Sequence, residues 1–178
     1  MAELEGEGVA DQVERGTSFD EAFARTVARA LQGAASHIRL PFIERTGLED
    51  VVAIDHALRR AGVPALALHG ELTQGARHNA LTDFRAGRAR VLVATDLAAR
   101  GIDVDEISHV VNYDLPNEPE SYVHRIGRTA RAGADGSAIA FCTPEDRGLL
   151  RDIEKTIRTQ VPVVEHALGL KGVQQLAP

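Results

Sequence analysis

From about residue 47 onward, short apolar runs alternate with amphipathic stretches at regular spacing, and this alternation restricts the chain to few folds. Strand-length runs separated by helix-length segments need crossover connections, which build a parallel sheet. Leu48–Gly62 has apolar residues at 48, 51, 52 and 58 and a glycine to stop it, predicting a helix. Val63–Leu68 predicts a short strand. Thr73–Ala86 predicts a helix with Ala80, Leu81 and Phe84 on one face, ended by Gly87 before the strong strand Arg90–Thr95. His109–Tyr113 and Gly136–Cys142 predict two further strands. Thr143-Pro144-Glu145-Asp146 then predicts a helix start, with Thr143 as cap and Leu149, Leu150, Ile153 and Ile157 along the apolar face. The predicted class is α/β, an open parallel sheet with helices on both faces.

At 178 residues and 44% hydrophobic, the chain has the length and apolar content of one globular domain. It has no run of 18 apolar residues, and its first residues are acidic where a signal or transit peptide is basic, so the expected location is the cytoplasm, with no membrane partner. Cys142 is alone and sits in the apolar run Ala138–Cys142, which predicts a core residue and no redox chemistry. The net charge of −6 is unevenly distributed. Residues 1–37 carry seven acids against three bases, 38–160 eighteen against sixteen, and the last eighteen residues one of each. The predicted organisation is an acidic leader over 1–37, a domain over 38–160 and a tail over 161–178. The leader holds one helix, over 18–32, opened by the capping box Ser18-Phe19-Asp20-Glu21. The near-neutral body leaves room for a local basic groove whose affinity for nucleic acid is modest and salt-sensitive.

Tyr122–Gly133 places Arg125, Arg128 and Arg131 at three-residue spacing beside His124, with Gly127 and Gly133 thinning the side-chain cover. Guanidinium forks match phosphate oxygens two at a time, and glycine lets backbone approach a ligand, so these residue types suit a triphosphate or a nucleic-acid backbone. Three arginines alone suit a solvated basic turn equally well. Thr95-Asp96, ending a predicted strand ahead of Arg100-Gly101, puts short polar groups at the carboxyl edge of the sheet, where α/β folds bind ligands. Asp96 and Asp103 also fit ordinary loop caps, and Gln74 and Arg77, three apart on a helix, also fit a solvated face.

Three blocks in this order resemble the C-terminal RecA-like lobe of DEAD-box RNA helicases. His69–Arg77 is similar to motif IVa, Val93–Asp103 to motif V and His124–Arg131 to motif VI, while Val110–Pro116 matches the connecting strand and turn. The resemblance covers about residues 47–158. It implies one RecA-like lobe that binds single-stranded or duplex RNA, and that completes an ATP site with an N-terminal RecA-like lobe, in cis or in trans. By the same resemblance Arg128 and Arg131 are arginine fingers on the γ-phosphate, an effect worth roughly 10³–10⁵ in rate in phosphoryl transfer. Asp103 accepts a hydrogen bond from the ATP ribose. Thr95 and Gly101 contact RNA phosphates, with Gln74, Arg77 and Thr46 near the same groove, and His124, Arg125 and Asp96 form the junction between lobes.

Some features depart from the family pattern. Position 130 is alanine where glycine is usual. Ile38–Thr46 stands where motif IV is a buried strand; Phe42, Arg45 and Thr46 fit its ending, but Arg39, Pro41 and Glu44 suit an edge or irregular strand. The sequence has neither a Gly-x-x-x-x-Gly-Lys-Ser/Thr phosphate loop nor an Asp-Glu-Ala-Asp magnesium site, and Asp20-Glu21-Ala22-Phe23 fits a helix start. The resemblance therefore implies that Mg²⁺ is held by the first lobe, that this chain holds no metal, and that it does not hydrolyse ATP alone. A second class remains open, a stand-alone, catalytically inactive RNA-binding or interaction module. A third, the matching lobe of a DNA-unwinding relative, is disfavoured by His124, because motif VI usually opens with glutamine there.

Overall fold

The run Val91-Leu92-Val93-Ala94 has no polar residue, and all four side chains are buried, as befits a strand covered on both faces. The computed structural model describes residues 21, 23–25, 27, 28, 41–45, 48–99, 102, 104, 107–129, 136–165 and 171–176. Its strands are β1 (Pro41–Arg45), β2 (Ala65–Leu68), β3 (Val91–Thr95), β4 (His109–Asn112), β5 (Ser137–Phe141), β6 (Val163–Glu165) and β7 (Lys171–Leu176). They form one sheet in the order β2-β3-β1-β4-β5-β7-β6. The first five are parallel throughout, and β7 pairs antiparallel with both β5 and β6.

The helices are α1 (Leu48–Arg60), α2 (Gln74–Arg85), α3 (Asp96–Ala99), α4 (Pro119–Ile126) and α5 (Arg147–Ile157). α1 ends where Gly62 takes φ +81°, with Val63 N–H donating to Leu58 O at 2.9 Å and Gly62 N–H to Arg59 O at 3.0 Å. This closing pattern needs a left-handed residue, which glycine adopts without Cβ strain. α1 packs Val51, Ile54 and Leu58 against Ile43, Val91 and Val93 on one face of the sheet. On the other face, Phe84 of α2 lies with Leu68, Leu92 and Val110, while Tyr122 and Ile126 of α4 meet Ile153 of α5 over Ala138 and Ala140.

Three expectations change. β1 is not an edge strand: it runs between β3 and β4, with Ile43 fully buried. Pro41 is tolerated because it is the first residue of the strand and the ladder to β3 starts only at Phe42. The helix predicted from Thr143 begins at Arg147, because Thr143 and Asp146 close a separate turn: the Asp146 carboxylate accepts from the Thr143 N–H (3.1 Å) and hydroxyl (2.8 Å). The segment read as a tail supplies β6 and β7. Lys171–Leu176, with only Val173 and Leu176 apolar, carries too little alternation to mark a strand, and backbone pairing with β5 orders it.

Helical residues also occur at 21, 23–25, 27 and 28, within the segment predicted as a leader helix, and Phe23, Ala24 and Ala28 are buried in the α1 face of the core. Ser18–Asp20 of the capping box lie outside the described residues. Cys142, expected in the core, is half-buried, and burial raises its thiol pKa. Among the described residues no helix is long and apolar enough to cross a membrane.

Candidate functional site

Because β1–β4 run in one direction, their carboxyl ends share one edge, and the connection from β3 to β4 must cross β1. Open sheets of this kind bind ligands at that edge, where the winding direction reverses. The short helix α3 starts there directly after β3, with Thr95 Oγ1 accepting from Ala98 N–H at 3.4 Å. Asn112, Tyr113 and Asp114 lie at the end of β4, and α4 then carries Arg125 back to the same place.

Arg125 is 2% exposed and its donors are turned inward. Nε and Nη2 grip the two oxygens of Asp96 at 2.6 and 2.7 Å; Nη1 donates to the Asp114 carbonyl at 2.7 Å and, at longer range, to Asn112 Oδ1 at 3.4 Å. A fork-on-fork pair fixes angle as well as distance, so the clamp sets the register between the turn after β3 and the end of α4. The resemblance places Arg125 at the junction between lobes; within this one, its guanidinium is held by Asp96, Asn112 and the Asp114 carbonyl. Asp96, one-third exposed at the side chain, is the wetter partner. His124, one helical step away, is exposed.

α4 ends at Gly127, and the following turn holds Arg128 half-buried. Arg128 Nη1 donates to the Ile102 carbonyl at 3.0 Å, while its buried Nε has no hydrogen-bond partner among the described residues. The next residue, Thr129, is buried and bonds through its hydroxyl to the Ile107 carbonyl, which anchors the turn to the segment before β4. From α2, Arg77 Nη2 reaches the Ala98 carbonyl at 2.7 Å. Gln74, the first residue of that helix, is exposed, with Thr73 as N-cap.

The three sequence blocks therefore converge through side chains: Arg77 and Arg125 both hold α3, and Arg128 holds the strand-end segment just beyond it. Thr95, Asp96, Arg77, Arg125 and Arg128 are brought together, whereas Gln74 and His124 lie exposed. Thr46, Gly101, Asp103, Ala130 and Arg131 lie outside the described residues. Sequence reasoning missed the roles of Asn112, Thr129 and the Asp114 and Ile102 carbonyls. Asn112 had a signal, as a polar residue ending an apolar strand; the backbone acceptors had none.

The model of the helicase conserved C-terminal domain matches residues 29–133. Over 125 residues the chain is 48% identical to the DEAD-box ATP-dependent RNA helicase CshA of Bacillus subtilis (strain 168), a match covering 67% of this chain and 25% of that protein. Over 128 residues it is 47% identical to CshA of Bacillus cereus (strain ATCC 10987 / NRS 248), covering 69% and 24%. The chain thus spans about a quarter of the length of these curated relatives. Among solved structures it is similar to the E. coli DEAD-box protein SrmB bound to regulator of ribonuclease activity A (TM-score 0.72, 35% identity, 83% of this chain and 86% of that one). It is also similar to the Mss116p DEAD-box helicase domain 2 bound to an RNA duplex (TM-score 0.68, 27% identity, 78% and 55%). With a family model spanning more than half its length and a DEAD-box chain matched over most of both partners, the chain belongs to the DEAD-box RNA helicase family, whose C-terminal RecA-like domain it carries.

Proposed function

We propose that this domain works as the second lobe of an ATP-dependent RNA helicase, clamping the RNA backbone and completing an ATP site whose other wall belongs to an N-terminal RecA-like lobe, in cis or in trans. The observation that carries this reading is Arg128: a guanidinium steered by the Ile102 carbonyl, with its buried Nε still lacking an acceptor among the described residues. A buried donor without a partner is costly, and a phosphate oxygen is the acceptor its chemistry fits. In this role Arg128 and Arg131 meet the γ-phosphate and Asp103 the ribose. Thr95, Gly101, Thr46, Gln74 and Arg77 line the RNA path in this reading, and RNA binding by the lobe is supported by the RNA duplex bound to the similar Mss116p domain. His124 faces the first lobe, which supplies the phosphate loop and the site for Mg²⁺. Alone, this chain binds RNA without turning over ATP, and the working protein is cytoplasmic.

Mixing the chain with a matching first lobe tests the proposal. RNA-stimulated ATP turnover that disappears with Arg128→Ala is expected; no turnover at any ratio of lobes refutes it and favours an inactive RNA-binding module.

A further inference from the structure

The helical residues at 21, 23–25, 27 and 28 precede the family match, which begins at residue 29, yet Phe23 is 2% exposed and Ala24 fully buried. The Phe23 ring stands edge-on to Tyr113 (centroids 4.9 Å apart, 88° between planes) and to Phe141 (5.6 Å, 88°), and Tyr113 and Phe141 are themselves 5.9 Å apart at 73°. All three pairs lie in the range where a ring edge meets a ring face favourably. Tyr113 sits between Asn112 and Asp114, the two residues that hold Arg125 Nη1. Successive residues of an extended chain face opposite sides of a sheet. Accordingly Tyr113 packs with Phe23 and α1, while α4, which carries Arg125, packs through Tyr122 and Ile126 on the other side. The end of β4 is gripped from both faces.

We infer that Phe23 is a positioning residue for the Asp96–Arg125 clamp. It fixes Tyr113, and Tyr113 fixes the Asn112 side chain and Asp114 carbonyl on which Arg125 rests. The chain leading into the domain therefore governs how rigidly motifs V and VI are joined. Any consequence for ATP or RNA rests on the function proposed above, but the coupling itself belongs to this chain.

The test uses the full 178-residue chain labelled with ¹⁵N, reading solvent exchange of the Arg125 Nε–H, assigned by its loss in Arg125→Met. Phe23→Leu keeps an apolar side chain and removes the ring edge; Val51→Ala perturbs the same core from α1 and serves as the stability control. Phe23→Leu should speed exchange by about tenfold or more, Tyr113→Leu should match it, and the double variant should add little, while Val51→Ala lowers the urea midpoint and leaves exchange within about twofold. Unchanged exchange in Phe23→Leu, or an equal rise in Val51→Ala, overturns the inference. If Phe23→Leu does not fold, Phe23→Met carries the same comparison. The readout needs neither ATP nor RNA, so failure of the proposed function leaves this result standing.

Discussion

Replacing Asp96 by alanine is expected to destabilise the domain more than removing its partner. Arg125 is 2% exposed, while the Asp96 side chain is 33% exposed. Asp96→Ala strips the acceptors from Nε and Nη2 and leaves a buried guanidinium held by the Asp114 carbonyl and the more distant Asn112. Breaking a fully buried pair by removing one member costs about 3–5 kcal/mol; water entering at the Asp96 side recovers part of it, giving an expected loss of about 2–4 kcal/mol. Arg125→Met keeps the packing of the aliphatic stem and leaves a carboxylate that water reaches, so its expected loss is about 1–2 kcal/mol. The double variant, with no buried charge left, is expected to be more stable than Asp96→Ala. The chain has no tryptophan, so urea unfolding is followed by far-ultraviolet circular dichroism. With an m-value of about 2 kcal/mol/M, Asp96→Ala should lower the midpoint by roughly 1–2 M at unchanged slope. An Asp96→Ala protein within about 0.5 kcal/mol of the parent, or an Arg125→Met protein equally destabilised, would refute the reasoning.

Burial pushes the Tyr122 phenol up to about 12, above its ordinary value near 10. Folding protects the neutral form, so this contribution is complete below pH 10 and is lost as pH rises toward 12; Tyr122→Phe should flatten the fall in stability across that window by up to about 2–3 kcal/mol. Urea midpoints measured at both ends of the window check this, and identical slopes in the two proteins count against it. Gly62→Ala places a Cβ at φ +81° in otherwise open space, so its cost is purely conformational, about 1–2 kcal/mol, read from the same denaturation curves. No measurable loss would mean that the turn after α1 relaxes out of the left-handed region.

The parallel strands and their helices were legible because each carries its own signal: a buried run such as Val91–Ala94, or a helix closed by Gly62 or Gly87. β1 was misjudged because its pattern is broken by Pro41 and Glu44, and its central place comes from pairing with β3 and β4, which no local window contains. β7 is similar, a polar run ordered by its neighbour. At the site, the arginine spacing marks Arg125 and Arg128 but not which way each one faces. Arg125 and Arg128 look alike in the sequence. One is neutralised by Asp96, twenty-nine positions earlier, while among the described residues the other meets a carbonyl; that difference lies in tertiary geometry.

β1 also has a mechanical consequence. In the described ladder, β2 and β3 lie on one side of it and β4 and β5 on the other, so the backbone hydrogen bonds joining the two halves of the parallel sheet pass through five residues, Pro41–Arg45. Above the carboxyl end of that strand, Asp96 belongs to one half and Arg125 to the other. The ion pair is thus a rivet across a seam: whatever pries the halves apart must unzip β1 and expose a charge together, which makes separation all-or-none and lets the five parallel strands answer a load as one plate.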